Sequence, residues 1–160
     1  MPTGEAPHRV IEPEPGPEVR LRLAAAACEQ GEPVEVSPLE VESDGPSFTY
    51  RTLEMLSESR ASDELTFLMG ADVAASLEGW RQPERVVELA RIGVAARPGT
   101  DTTEAARVLD GLGANWELVR MPEIGVSSTE VRERIAEGRP IRHLVPAGAR
   151  EMIENEGLYR

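Results

Sequence analysis

The sequence predicts an α/β fold in which a parallel sheet is covered by helices on both faces. Two observations support this prediction. Segments with strand character alternate with segments with helix character along the chain, and the strand segments, such as Leu65–Met69 and Ile92–Ala96, are apolar at successive positions, as expected of strands buried on both faces. The length of 160 residues and the balance of 40% hydrophobic and 29% charged residues favour one globular domain.

The first half of the chain opens with an irregular, proline-rich stretch over residues 1–17, because proline disfavours helix interiors and central strands. A run of apolar and small residues then predicts a helix that ends at Gly31. Leu53 and Leu56 fall on one face of a second helix, and the strand after it leads directly into Gly70. The predicted elements are helix 18–30, strand 34–37, helix 49–59 and strand 65–69.

The second half contains the clearest helix boundaries. Pro83 suits a first helical turn, Thr102 or Thr103 can cap another helix, and Gly138 and Gly157 are placed to end two more. The predicted elements are helix 71–77, helix 83–90, strand 92–96, a helix from 102 or 103 to 109, strand 116–119, helix 128–137 and helix 146–156.

The charge balance limits the kinds of partner. Seventeen basic residues, all arginine, against 29 acidic residues give a formal net charge of -12, which disfavours nucleic acid or an anionic membrane as a partner. A small anion is still compatible with this charge, because local backbone N–H groups can hold it. No apolar run approaches the ~20 residues of a membrane span, and the start has no apolar signal core, so we expect a cytoplasmic protein. Cys28, the single cysteine, lies in an apolar run and is interpreted as packing.

Ligands of such sheets bind beyond the carboxyl ends of the strands, so the loops that follow the strands are the candidate binding sites. Gly70 follows a strand and would let a ligand approach the backbone closely. Asp72 is placed either to cap the next helix or to accept hydrogen bonds from a ribose. Taken alone, this segment is better explained as an ordinary strand–turn–helix with a capping aspartate.

A second loop opens a helix with three consecutive hydroxyl residues, Ser127, Ser128 and Thr129. Ser127 is the better capping-box residue, because Glu130 follows it by three positions. Free N–H groups, hydroxyls and the positive end of the helix dipole would bind an anion, and Arg132 would reach a phosphate. An ordinary capped helix is the equally weighted alternative.

Aromatic residues adjoin hydroxyls at a third position. Thr49 could cap the helix there, while its neighbours Phe48 and Tyr50 could stack on a ligand or fill the core. Trp80 follows a glycine between two helices, where it could stack on a flat ring or pack in the core.

Taken together, these segments resemble bacterial nicotinate-nucleotide adenylyltransferase, and they occur in the order found in that family. The matching stretches are residues 2–9, 46–49, 70–72 with Trp80, 97–99, 126–132 and 157–159. The resemblance implies a Rossmann-like nucleotidyltransferase fold. It also implies transfer of AMP from ATP, bound with Mg²⁺, to nicotinate mononucleotide, releasing pyrophosphate and forming nicotinate adenine dinucleotide for NAD biosynthesis.

The resemblance also implies roles for individual residues. Those expected to bind ATP are Ser127, Ser128, Thr129, Arg132, Gly70 and Asp72. Those expected to bind the acceptor are Thr49, Ala71, Trp80, His8 and Arg9, with Trp80 stacking on the nicotinate ring and His8 and Arg9 near the mononucleotide phosphate.

The sequence departs from the family in two respects. Phe48 and Arg51 stand where the family usually has a tyrosine and an acidic residue. In addition, the family's first strand and its Asp-Pro-x-His-x-Gly-His loop, whose histidines contact ATP phosphates, are not in this sequence, so no catalytic side chain is assigned.

For the missing loop we favour a start codon assigned at an internal valine codon over a shortened gene product or a chain completed by another polypeptide. Translating the upstream DNA in frame would test that expectation, and a stop codon close upstream with no Asp-Pro-x-His-x-Gly-His would contradict it. We expect negligible transfer from the chain as written, and comparing pyrophosphate release by this chain and by its upstream-extended form would test this second expectation. The alternative functions are an inactive nucleotide-binding fragment and an adenylyltransferase for nicotinamide mononucleotide. Phosphopantetheine adenylyltransferase fits poorly because of the Gly-Ala-Asp and Trp80 arrangement.

Overall fold

A computed structural model of the chain describes residues 1–5, 15–28, 34–97, 99–122 and 124–160. The chain divides into two compact units. Unit 2 is the continuous segment 48–124, and unit 1 combines residues 1–47 with 125–160. Each unit has its own hydrophobic core. The expectation of a single domain stays a prediction.

The alternation of strands and helices predicted from the sequence is confirmed. The described elements are α1 (Pro17–Cys28), α2 (Thr49–Ser59), β1 (Thr66–Gly70), α3 (Ala71–Ala75), a 3₁₀ turn (Leu77–Gly79), α4 (Pro83–Leu89), β2 (Arg91–Ala96), α5 (Thr103–Gly111), β3 (Trp116–Arg120), α6 (Ser128–Ala136) and α7 (Ala147–Glu156). Helix α2 has the predicted bounds, and the other confirmed elements begin and end close to their predicted positions. The predicted end of the first helix, at Gly31, lies outside the described residues.

One predicted strand is wrong. Residues 34–38 have no regular structure, and the side chain of Val34 is 58% exposed. Alternation of valine with polar residues favours a strand only where a neighbouring strand supplies hydrogen bonds and packing. Among the described residues outside the three strands, the structure forms an isolated parallel bridge between Glu5 and Pro46.

The sheet of unit 2 is parallel, with strand order β1-β2-β3. Its register places Leu68 of β1 and Glu117 of β3 on either side of Gly93. Each connection between neighbouring strands contains a helix, as parallel pairing requires. The carboxyl ends of the strands therefore lie along one edge of the sheet, and Gly70 is the last residue of β1.

The core of unit 2 lies on the sheet face that carries Met69, Ile92 and Val94, against buried residues of α3, α4 and α5. Ile92 and Val94 are fully buried, and each contributes roughly 1.5–3 kcal/mol through the hydrophobic effect. The expectation of strands buried on both faces is confirmed for β2 and is wrong for β1 and β3. Leu68, on the opposite face of β1, is 62% exposed, and most residues of β3 are exposed because that strand forms an edge of the sheet.

Unit 1 is built around the packing of α1 on α7. Arg22 of α1 donates two hydrogen bonds to the Glu156 carboxylate, at 2.6 and 2.9 Å. Gly148 lies so close to the Ala26 carbonyl that a Cβ at this position would overlap it. The buried side chains of this unit's core are Val131, Ile141 and Ile153.

Within the described ranges, none of the helices has the length and hydrophobicity needed to span a bilayer.

Candidate functional site

Gly70 and Asp72 lie together at the carboxyl end of β1. A Cβ built on Gly70 would come within 2.7 Å of the Asp72 Oδ1 atom. The Asp72 carboxylate is therefore folded back over the Gly70 backbone. The Gly70 backbone is extended, with φ -70° and ψ 158°. The φ and ψ angles of Gly70 suit other residues as well, so the backbone conformation does not require glycine. Glycine fits here because a Cβ would meet the Asp72 carboxylate.

The prediction that Asp72 caps a helix is wrong. Gly70 occupies the N-cap of α3, no side chain caps this helix, and Asp72 is the second helical residue. The Asp72 carboxylate is exposed, whereas Ala71 is buried. An acidic group in a first turn is favourable next to the positive end of the helix. Because it does not cap α3, the carboxylate has acceptor capacity for a ligand at the sheet edge where parallel α/β folds bind nucleotides.

Residues 48–50 and residues 80–81 are brought together in unit 2. The guanidinium carbon of Arg81 lies 4.9 Å from the centre of the Phe48 ring, within the range of a cation–π contact. Thr49 is the first residue of α2 and is half-buried. The predicted capping role of Thr49 is wrong, because the helix begins one residue earlier than capping by Thr49 requires, and Phe48 occupies the N-cap.

Trp80 is half-buried and is fixed by two contacts. Its ring meets the Phe67 ring edge-on, with centroids 6.3 Å apart, and its Nε1 donates to the Ser76 Oγ at 3.3 Å. It also packs against the core of unit 2. Both predicted possibilities, core packing and an accessible ring, are therefore compatible with this placement, since part of the indole remains exposed.

The start of α6, in unit 1, has the serine cap that the sequence predicts. Ser127 is the N-cap, and its Oγ accepts a hydrogen bond from the Glu130 N–H at 3.1 Å, which confirms Ser127 as the capping residue. Ser128 and Thr129 are exposed in the first turn. The Glu130 carboxylate accepts two hydrogen bonds from Arg134, both at 3.0 Å. Because the Glu130 N–H already bonds to Ser127, the available donors of the first turn are the hydroxyls and backbone N–H groups of Ser128 and Thr129.

Arg132 lies in the second turn of α6 and is half-buried. Among the described residues it forms no ion pair, although the chain is strongly acidic. The positive charge of Arg132 affects the pKa of the Tyr159 phenol. Burial raises the pKa of the Tyr159 phenol, and the nearby charges of Arg132 and Arg20 oppose that rise without cancelling it. Arg132 is thus a cation without a carboxylate partner in the described part of the chain, placed on the helix that begins with the hydroxyl cluster.

His8 and Arg9 lie outside the described residues, and so does Pro98. The backbone before His8 is anchored within unit 1. Arg20 donates to the Thr3 and Gly4 carbonyls at 2.6 and 2.9 Å, and the Gly4 N–H donates to the Ser47 Oγ at 3.1 Å.

A largely polar cleft of unit 2 lies away from these residues. It has a volume of about 450 Å³ and is lined by residues that include Thr66, Arg91 and Asn115, at the amino ends of the strands and away from Gly70. In the described part of the chain, no group of three or more His, Cys, Asp or Glu side chains is arranged to hold a metal ion.

The fold and these loops define the class to which the chain belongs. The parallel sheet, the glycine–aspartate turn and the serine-capped helix are compatible with the nucleotidyltransferase fold that the resemblance implies. The cytidylyltransferase-like family model matches residues 1–134.

Curated relatives narrow the class to a family. The chain is 38% identical over 162 residues to a probable nicotinate-nucleotide adenylyltransferase of Roseiflexus sp. (strain RS-1), covering 100% of this chain and 81% of that protein. It is 37% identical over 164 residues to one of Desulfitobacterium hafniense (strain Y51), covering 100% of this chain and 79% of that protein. The chain belongs to the nicotinate-nucleotide adenylyltransferase family, whose members are nucleotidyltransferase enzymes of NAD biosynthesis.

A solved structure shows the same fold. Plasmodium falciparum nicotinic acid mononucleotide adenylyltransferase complexed with NaAD superimposes with a TM-score of 0.71, at 15% identity, over 98% of this chain and 78% of that chain.

Proposed function

We propose that the start of α6 binds the phosphates of ATP through Ser127, Ser128, Thr129 and Arg132. For unit 2, we propose roles for Gly70 and Asp72 in nucleotide binding and for Thr49, Ala71 and Trp80 in binding nicotinate mononucleotide. We also propose that His8 and Arg9 contact the mononucleotide phosphate, as the resemblance implies. Mg²⁺ enters as part of the substrate, bound to the phosphates of ATP. The reaction belongs to the cytoplasm, where NAD precursors and ATP are both present.

The chemistry is a displacement at phosphorus. A phosphate oxygen of nicotinate mononucleotide attacks the α-phosphorus of ATP, and the bond from that phosphorus to the α,β-bridging oxygen breaks. Pyrophosphate leaves, and the new phosphorus–oxygen bond joins the two nucleotides. The substrate supplies the nucleophile, so the protein acts mainly by positioning the two phosphates and neutralising their charge.

The observation that carries this proposal is the arrangement of hydroxyls and arginine in the first two turns of α6. Its first turn presents Ser128 and Thr129 to solvent, Ser127 has capped the helix, and Arg132 is half-buried without a carboxylate partner among the described residues. Helix N-termini attract phosphate through their free N–H groups and dipole. A guanidinium adds charge-assisted hydrogen bonds, each worth roughly 1.5–3 kcal/mol.

The test compares two variants with the same change in charge, measured by titration calorimetry with ATP and Mg²⁺. Arg132→Gln is expected to weaken ATP binding about tenfold or more, corresponding to the loss of at least one charge-assisted hydrogen bond. The matched control is Arg142→Gln, because Arg142 is exposed and lies outside α6. Equal affinities for the two variants, or no binding of ATP by the unaltered chain, would contradict the proposal.

A further inference from the structure

The outer edge of β3 is unpaired within the described part of the chain. The Asn115 carbonyl and the Met121 N–H bond to β2, at 2.9 and 3.3 Å. Both are odd-numbered positions, and the direction of the backbone groups alternates along a strand, so the even-numbered positions direct theirs away from β2. The N–H and C=O groups of Trp116, Leu118 and Arg120 therefore form a row of donors and acceptors available to another strand.

Apolar side chains are exposed along the same edge. Leu118 pairs in register with Val94, which is fully buried, yet Leu118 is 51% exposed. Met121 and Ile124, which follow β3, are exposed as well. Exposed apolar groups next to unpaired backbone groups form a surface on which another chain can dock.

The charges at the two ends of this edge are complementary. At the amino end, the Asp110 carboxylate lies beside the Trp116 ring, because its Oδ1 accepts a hydrogen bond from the Trp116 Nε1 at 2.8 Å. Asp110 is exposed, so its carboxylate can accept further hydrogen bonds. At the carboxyl end, Arg120 is exposed and forms no ion pair with any described residue. An antiparallel copy of the same edge would bring the cation of one chain to the carboxylate of the other.

We propose that β3 pairs with β3 of a second copy of the chain, in antiparallel orientation and with Leu118 opposite Leu118 on a twofold axis. In this arrangement each outward-facing position exchanges both of its backbone hydrogen bonds with its counterpart. The Arg120 guanidinium of one copy meets the Trp116 ring of the other, where a cation–π contact and the adjacent Asp110 carboxylate both favour it. The three-stranded sheet of each copy then continues into its neighbour.

Neighbouring registers are disfavoured by the residues around Leu118. Only even-numbered positions present outward backbone groups, so the strands can slip only in steps that keep those positions opposite each other. A slip in one direction places Glu117 directly opposite Glu117, where like charges repel. A slip in the other direction places Pro122, which has no N–H, opposite Trp116, and a further slip opposes Arg120 to Arg120. The edge is therefore complementary to itself in one register and not in those beside it.

The size of the edge sets the strength of the pairing. Strand β3 has five residues, so the interface is small and resembles those of weak, reversible complexes. Pairing of one patch with itself gives a closed dimer, because the twofold axis uses this edge in both copies. The carboxyl ends of the two sheets point in opposite directions, so each copy keeps its own Gly70–Asp72 turn. The pairing is therefore independent of the proposed function.

The first test measures the mass of the chain by sedimentation at about 1 to 500 µM, the range expected of a small interface. The mass should rise with concentration from 17.4 kDa towards that of a dimer. Arg120→Glu should weaken the dimer at least tenfold, because it places a second carboxylate beside Asp110. Adding Asp110→Arg to Arg120→Glu exchanges the two charges and should restore most of the affinity. Arg142→Glu is the matched control, since it makes the same change in charge at an exposed position of unit 1.

The second test examines the register by cross-linking in a Cys28→Ser background, where an introduced cysteine is the single thiol. Hydrogen-bonded positions of antiparallel strands have their Cα atoms about 5.5 Å apart, a distance that a disulfide spans. Leu118→Cys should therefore form a disulfide between two copies under mild oxidation. Glu117→Cys is the control, because the two copies of this position lie two residues of strand rise apart, beyond the roughly 7 Å limit for a disulfide.

Two results would overturn the proposal. One is a chain that stays monomeric over the whole range of concentration. The other is a dimer that Arg120→Glu weakens no more than Arg142→Glu does and that Leu118→Cys fails to cross-link, since such a dimer uses another surface. Circular dichroism checks that each variant is folded. Should Arg120→Glu unfold, cross-linking decides alone, and equal yields from Leu118→Cys and Glu117→Cys would refute the pairing.

Discussion

Replacement of Gly70 by alanine should weaken ATP binding without weakening the fold. An added Cβ would lie 2.7 Å from the Asp72 Oδ1, whereas ordinary contacts of this kind begin at 3.4 Å, so the carboxylate must withdraw by about 0.7 Å. The φ of -70° and ψ of 158° suit alanine, which also stiffens the unfolded chain by roughly 0.4–1 kcal/mol. Thermal unfolding by circular dichroism should therefore give an unchanged or slightly higher Tm.

The expected loss in affinity is about tenfold, because the Asp72 carboxylate would lose the geometry of one hydrogen bond to the nucleotide. A double-mutant cycle with Asp72→Ala isolates the cause. If Gly70→Ala acts through the carboxylate, it should have no further effect on ATP affinity in the Asp72→Ala background. Additive losses would refute this reasoning and would show instead that a ligand needs the bare backbone of Gly70. Gly111→Ala is the control for glycine replacement, since a Cβ there meets no atom within 4 Å.

Three more predictions concern unit 1. Ser127→Ala removes the hydrogen bond to the Glu130 N–H and should destabilise the chain by about 1 kcal/mol in urea unfolding, while Ser127→Asp, which can also cap, should restore most of it. Gly148→Ala places a Cβ against the Ala26 carbonyl, which is part of the backbone and cannot rotate to another position. This substitution should lower the free energy of unfolding by about 1–3 kcal/mol. A Tm at or above that of the unaltered chain would contradict this packing. Burial raises the pKa of Tyr159, so the folded state holds the phenol proton more tightly than the unfolded state. Its contribution to stability is complete below the unfolded value of about 10 and is lost as the pH rises through the higher folded value, so Tyr159→Phe should lose less stability between neutral and strongly alkaline pH.

Local chemistry explains which parts of the fold were predictable. The bounds of α2 follow from the spacing of Leu53 and Leu56, and the cap of α6 follows from a serine three positions before Glu130. Both patterns depend on residues within one or two turns of each other. The strand at 34–37 was wrong because a strand depends on a distant neighbour, which the local pattern of Val34 does not reveal.

The candidate site was predictable to a similar extent. Trp80 and Thr49 were singled out by residue type and by resemblance, yet nothing in the sequence indicated that Arg81 contacts Phe48. That contact joins segments more than thirty positions apart in the chain. In addition, a single arginine after a tryptophan carries no sequence pattern that distinguishes it from other surface arginines.

The two units also differ in how early each can be completed during synthesis. Unit 2 is one continuous segment that ends at Ile124, so all of its strands and core are available once that residue has left the ribosome. Unit 1 depends on α1 packing against α7, whose last residue is Glu156, so its N-terminal part must wait for the end of the chain. Domains generally fold as units and in the order of synthesis. Here the middle of the chain would fold first, and α1, although made earlier, would find its partner last.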